Sequence, residues 1–298
     1  MKAEKNILVA FAMNLLFSAF EFFGGLLTGS VAIISDAAHD FGDAASIGVA
    51  YFLEKKSRCR PDGAYTYGYA RYSVIGGAIT TLILLFGSVL VAYNAVGRLL
   101  HPTAIDYNGM ILFAVVGVCV NTCAMLFTRG GRSLNQRAVN LHMLEDVLGW
   151  GVVLVGAVVM RYTDWAFIDP LMSIGVAVWI FLHAWKGFQE ILEIFLEKVP
   201  RGIHAQEIEA HLCEIEGVKD VHHIHIWSMD GQRHCATLHV VAIGDLVAVK
   251  GKIRHELAKN GIGHVTVEIE TEDEHCPDRR CSVDTMTACS HYHHHHHH

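Results

Sequence analysis

The sequence predicts an α-helical membrane protein, with six transmembrane helices followed by a small cytosolic α+β domain, and three observations carry that prediction. Six apolar runs, near 6–27, 31–53, 73–97, 108–128, 139–161 and 167–187, are each long enough to cross hydrocarbon, which takes about 20 residues. Apolar and charged residues are segregated: the chain is 52% apolar and 18% charged, and the charge gathers after residue 196. Beyond Pro200 the pattern changes to short helical and alternating segments. The expected division is a membrane domain over 1–199, an α+β domain over 200–273, a Cys/His-bearing tail over 274–292 and an expression tag over 293–298.

The first run carries Asn14 and Glu21, seven apart and so on one face. They either hydrogen-bond neighbouring helices or, for Glu21, relay ions or protons. The run is too long for the apolar core of a signal peptide and lacks a cleavage site, so a retained span is expected. The connector Thr28-Gly29-Ser30 makes the first two spans a tight antiparallel pair. The third span is apolar and punctuated by Gly76, Gly77 and Gly87, which suggests close helix packing. Before it lies Tyr65-Thr66-Tyr67-Gly68-Tyr69-Ala70-Arg71, a polar aromatic stretch suited to a membrane interface. In the fourth span Cys119 and Cys123, one turn apart, read as small residues at a packing surface, with a soft-metal role as the alternative.

Orientation follows from the basic residues. Lys2 and Lys5 precede the first span, Lys55, Lys56, Arg58, Arg60 and Arg71 follow the second, and Arg129, Arg132 and Arg137 follow the fourth. The opposite connectors hold little more than Arg98 and Arg161. Both termini are therefore expected in the cytoplasm. A net charge of −7 with no basic stripe argues against nucleic acid as a partner. Eight dispersed cysteines lack the close spacing of a small secreted disulfide domain.

The second span contains Ser35-Asp36-Ala37-Ala38-His39-Asp40-Phe41-Gly42-Asp43. Each charge at a bilayer centre costs roughly 2.5–3.5 kcal/mol on insertion scales. Asp36, His39, Asp40 and Asp43 share one helical face, and His39 and Asp43 stand one turn apart. The fifth span repeats the spacing with His142 and Asp146, and Glu145 lies beside them. Two helices that each offer an imidazole and a carboxylate form a donor set suited to tetrahedral Zn²⁺, and the complex would be electrically balanced. The bland alternative is that each His–Asp pair neutralises itself. Asp36 and Asp40 flank the stripe as supporting groups or stepping stones, and Glu145 reads as an interface or pathway residue.

In the last region Ala205–Ile215 and Asp245–Asn260 read as helices, and Val218–Met229, His234–Ile243 and His264–Glu272 as strands. Strict alternation puts His223, His225 and Trp227 on one face of the first strand and His222, Ile224 and Ile226 on the other. His239 lies on the partner strand, and Glu268 and Glu270 lie on one face of the third. The histidine cluster favours metal binding. Cys276 and Cys281 could close a further zinc site through thiolates.

These motifs resemble the cation diffusion facilitator family, and its zinc-selective bacterial efflux branch in particular. The resemblance runs from Asn14 to about Cys281 and rests on Asn14…Glu21, Asp36…His39…Asp43, Tyr67-Gly68-Tyr69-Ala70-Arg71, His142…Asp146 and Val221–Trp227. It implies a homodimer with a metallochaperone-like cytosolic domain, set in a lipid bilayer such as the bacterial inner membrane. It also implies Zn²⁺/H⁺ antiport by alternating access, with no enzymatic activity. His39, Asp43, His142 and Asp146 take the transport-site roles, and His222, His239, His264 and Glu270 the cytosolic zinc roles. The loop after the second span lacks an Asp/His cluster and 129–137 is short and basic, so no metal site is expected in either. Competing expectations are Co²⁺, Cd²⁺, Fe²⁺ or Mn²⁺ as cargo, a membrane-anchored metal sensor, and an intramembrane zinc hydrolase. The last is disfavoured by four candidate ligands and by the lack of an H-E-x-x-H motif.

Overall fold

A computed structural model describes residues 2–28, 31–100, 107–130, 133–163 and 167–274 of the 298-residue chain. Two compact units are present, Met1–Leu196 with Met229–Gln232, and Glu197–Ser228 with Arg233–His298.

The first unit is built of α1 (Lys2–Thr28), α2 (Val31–Ser57), α3 (Arg71–Leu100), α4 (Tyr107–Thr128), α5 (Leu134–Thr163) and α6 (Ile168–Phe195). Among the described residues, Lys5–Phe23, Arg71–Gly97, Ile111–Thr128 and Leu134–Gly156 are long and apolar enough to cross a membrane. α2 is as long as α1 at 27 residues but carries Asp36, Asp40 and Asp43 within the helix. The surface is inverted relative to a water-soluble bundle. On α1, Asn14, Ser18 and Glu21 are buried, whereas Leu16 and Phe23 are 71% and 63% exposed. Lipid tails favour that arrangement, because an apolar side chain loses nothing in hydrocarbon and a polar one must find partners inside the protein.

Close approaches fix the helix pairs. A Cβ on Gly117 of α4 would lie 2.6 Å from the Trp150 ring of α5, and one on Gly76 of α3 would lie 2.8 Å from the Asn135 side chain. Asn135 in turn donates to the Ala50 carbonyl of α2 at 2.7 Å. One end of the bundle is tied further by Glu54, buried at 3% exposure. Its carboxylate accepts from Ser73 Oγ of α3 at 2.7 Å, from Ser133 Oγ at 3.2 Å and from Arg58 at 3.2 Å. Ser133 also caps α5, its hydroxyl accepting from the Gln136 N–H at 3.1 Å.

The second unit runs α7 (Ala205–Cys213), β1 (Val218–Ser228), β2 (His234–Ala242), α8 (Leu246–Lys259) and β3 (Ile262–Glu270). The sheet order is β1-β2-β3, with β1 antiparallel and β3 parallel to β2. Ile208 and Leu212 of α7 and Val249, Ile253 and Leu257 of α8 pack on Val221, Ile226, Ala236, Leu238 and Val240 of the sheet. Asp245 caps α8 by accepting from Val247 N and Ala248 N at 3.0 and 3.2 Å. Gly217 enters β1 at φ +95°, where a Cβ would meet Val249 at 2.9 Å. Only glycine fits both constraints.

One sequence expectation is corrected here. β1 does not alternate strictly, because the register shifts between His222 and His225: His222 pairs with His239, and His225 with Thr237. The extra residue reverses the facing of everything beyond it. Val221 and Ile226 both enter the core, and His225 shares the face of His222.

Candidate metal centres

The membrane unit contains a cluster in which ligand atoms of Asp43, His142 and Asp146 all lie within 4.8 Å of one another. Asp43 comes from α2, His142 and Asp146 from α5. His142 Nε2 faces Asp43 Oδ1 at 3.8 Å, and Nδ1 faces Glu145 Oε2 at 3.9 Å. Both distances are too long for a direct hydrogen bond. The ring is only 3% exposed, and neither nitrogen has a hydrogen-bond partner among the described residues. A buried imidazole in that condition is costly unless something occupies its lone pair. Asn14 of α1 donates to Asp146 Oδ2 at 3.5 Å, and its own Oδ1 is buried without a hydrogen-bond partner among the described residues.

His39 and Asp36 stand on α2, but their side chains lie outside the described residues. Asp40 is half-buried on the same helix, one turn before Ala44. Glu21 is buried at 1% exposure on α1, two turns beyond Asn14. Glu145 joins the cluster through His142.

Apolar layers bracket the centre. Toward the start of α5 lies a packed set of Ile7, Ala10, Ile47, Ala50, Ala124, Val139 and Met143. Toward its end, Trp150 meets Phe17 edge-on with centroids 5.6 Å apart. Apolar packing around a buried charged centre lowers the local dielectric and strengthens electrostatic interactions within it.

The sequence reading overlooked Asn121. The α4–α5 pair is pinned by Gly117 against Trp150 and by Asn140 donating to the Met125 carbonyl at 2.8 Å. Asn121 lies midway between those pins, at the level of Glu145 and Asp146. It is buried at 1% exposure, and its Oδ1 has no hydrogen-bond partner among the described residues. An amide in the middle of a largely apolar span was the available signal.

A second cluster lies in the α+β unit, where ligand atoms of His222, His239 and Glu270 come within 4.8 Å of one another. His239 Nδ1 is 2.6 Å from Glu270 Oε1, and His222 Nε2 is 3.3 Å from Glu270 Oε2. Asp220 Oδ2 lies 3.2 Å from His222 Nδ1, and Glu268 Oε2 lies 3.4 Å from His239 Nε2. Asp220 and Glu268 thus stand beside the rings where supporting groups stand around metal-binding histidines. His264 is not brought into this cluster. It pairs with Cys235 near the start of β3, six residues before Glu270. Cys276 and Cys281 lie outside the described residues. The Cys213 thiol is pushed up, chiefly by burial, so it is a poor source of thiolate.

A helical membrane unit enclosing carboxylates and imidazole, followed by a separate domain that clusters the same donors, defines a membrane carrier of metal cations. Its family is equally definite. Residues 7–196 match the model for the cation efflux transmembrane domain, and residues 200–272 match that for the cation efflux protein cytoplasmic domain. The chain belongs to the cation efflux family, the cation diffusion facilitators that its motifs resemble. It is a multi-pass membrane protein for metal cation efflux and not an enzyme. The zinc transporter ZitB of Yersinia pestis is 32% identical over 288 residues, covering 94% of this chain and 91% of that protein. The metal cation efflux system protein CzcD of Cupriavidus metallidurans is 31% identical over 273 residues, covering 90% and 86%. The cadmium, cobalt and zinc/H(+)-K(+) antiporter of Bacillus subtilis is 30% identical over 278 residues, covering 90% and 89%.

Proposed function

We propose that the protein exports Zn²⁺ from the cytosol in exchange for protons by alternating access, with His39, Asp43, His142 and Asp146 as the transport ligands. The observation that carries this reading is the buried His142 ring, without a hydrogen-bond partner at either nitrogen among the described residues and held between Asp43 and Glu145 within reach of Asp146. Zinc and protons compete for the same imidazole and carboxylate lone pairs, so loading one releases the other. Asn14 holds Asp146 in place, and Asn121 and Glu21 line the buried polar path beside it.

Alternating access requires the two apolar layers to open in turn. The layer around Ile47 and Met143 gates the cytoplasmic side, and Trp150 with Phe17 gates the far side. The zinc-transporter name of the Yersinia pestis relative supports zinc as cargo. The relative named for cadmium, cobalt and zinc favours a broader second reading in which Cd²⁺ and Co²⁺ share the site. That breadth follows the weak metal discrimination of mixed nitrogen and oxygen donors.

The remaining assignments belong to the same reading. The membrane domain spans 1–199 and the cytosolic domain 200–273, followed by the tail at 274–292. The protein is a homodimer in a bacterial inner membrane with both termini cytoplasmic, and His222, His239 and Glu270 hold a zinc ion that regulates or stabilises the domain. The experiment is complementation. In cells stripped of zinc-efflux transporters, the native chain is expected to restore growth on high zinc, whereas His142→Ala and Asp146→Ala, expressed equally, are not. Growth restored equally by these variants would refute the ligand assignment.

A further inference from the structure

His223 has φ +54°, a left-handed conformation rare in non-glycine residues, although histidine enters it more readily than most. It sits in the register shift of β1, between the His222–His239 pair and the His225–Thr237 pair. In an unbroken strand His222 and His225, three apart, would face opposite sides. His239 and Thr237 are two apart on β2, so their partners His222 and His225 share a face only because of the bulge. The ring of His223 then lies parallel to that of His239, with centroids 4.7 Å apart and planes at 15°. It also meets His225 at 5.1 Å. Backbone strain of this kind persists only where surrounding contacts over-determine it, and such positions gather at functional sites.

We propose that His223 is the positioning residue of the cytosolic cluster: its left-handed backbone sets the facing of the histidines, and its stacked ring holds His239 in the orientation that meets Glu270. The proposal rests on reading His222, His239 and Glu270 as a metal site. A competing purpose for the bulge is the core alone, since it also brings both Val221 and Ile226 inward. The two purposes separate at the side chain. Glycine keeps the backbone and the core and removes the ring, whereas phenylalanine keeps a stacking face and removes both nitrogens.

The test is a Co²⁺ titration of the full chain lacking His293–His298, followed by visible absorption. The cobalt bands lost in Glu270→Ala define the signal of the cluster. His223→Gly is expected to weaken the affinity of that component by about 10- to 100-fold, the range typical of groups that orient a metal ligand, with far-ultraviolet circular dichroism unchanged. His223→Phe is expected to bind within a few fold of the native chain. Native affinity and an unchanged spectrum in His223→Gly would overturn the proposal. Failure of His223→Phe to the same degree as His223→Gly, with circular dichroism and thermal midpoint unchanged, would also overturn it, because a nitrogen rather than a stacked ring would then be required. If Glu270→Ala and His222→Ala leave every cobalt band in place, the metal-site reading itself falls, and the proposal with it.

Discussion

His142 Nε2 faces Asp43 Oδ1 across 3.8 Å, joining α5 to α2 at a place where, among the described residues, neither imidazole nitrogen finds a hydrogen bond. The separation leaves room for an ion that bonds to both atoms, since zinc–nitrogen and zinc–oxygen bonds are each about 2 Å. A structural pair would close that gap.

Glu145 faces the other nitrogen of the same ring, at 3.9 Å. A carboxylate at that position, drawn within hydrogen-bond range when zinc loads, would orient the imidazole so that Nε2 presents its lone pair to the ion. Glu145→Ala is expected to weaken zinc binding by about 10- to 100-fold, less than the loss in His142→Ala. Zinc competition titrations with a chromophoric chelator on the purified, tag-free protein measure both.

Gly117 is confined by the Trp150 ring. Gly117→Ala forces a methyl group into space the indole already fills, at about 1–3 kcal/mol for overpacking. A lower thermal midpoint in detergent is expected, with recovery in the Gly117→Ala, Trp150→Leu double variant. A double variant no more stable than Gly117→Ala would contradict that assignment of the clash.

Glu54 ties α2 to Ser73 of α3 and to Ser133 at the entrance of α5. Glu54→Ala leaves both hydroxyls and Arg58 without their acceptor, and hydrogen bonds to a charged group contribute about 1.5–3 kcal/mol each. A loss of about that size in thermal stability is expected. Hydrogen exchange should rise at the start of α3 and α5, while the Trp150 end stays protected.

In the loop between α2 and α3, Asp62 accepts from the Tyr69 hydroxyl and from Tyr65 N and Ala64 N. Chiefly through the Tyr69 hydrogen bond, its carboxyl is held below the usual value, and the Tyr69 phenol is pushed up to about 12. The contribution of Asp62 is present above its unfolded value and lost as pH falls through the depressed folded one. That of Tyr69 is complete below the ordinary phenol value and lost as pH rises through about 12. A tyrosinate titration is expected to show an ionisation near 12 that Tyr69→Phe removes.

Much of this was legible in the sequence because membrane burial leaves strong marks. An apolar run of spanning length has few other fates, and charge within it must be housed, so Asp43, His142 and Asp146 could be singled out from spacing alone. The α-β-β-α-β order was equally plain, through the Asp245 cap and the alternation of β2. The facing of β1 was not, because a bulge at a histidine breaks no compositional rule while reversing the parity that alternation relies on. Glu54 was hidden among Lys55, Lys56 and Arg58, where an acid looks like ordinary interface charge. The place of His264 was hidden for a third reason: residue type says nothing of register, which puts it six residues before Glu270 on β3.

The most direct test of zinc–proton exchange at the membrane centre uses proteoliposomes that report zinc and pH together, with the native chain compared with Asp43→Ala. An imposed proton gradient is expected to drive zinc uptake by the native chain, zinc added without a gradient to move protons the opposite way, and Asp43→Ala to abolish both. Zinc uptake that ignores the gradient, or that survives the loss of Asp43, would contradict it.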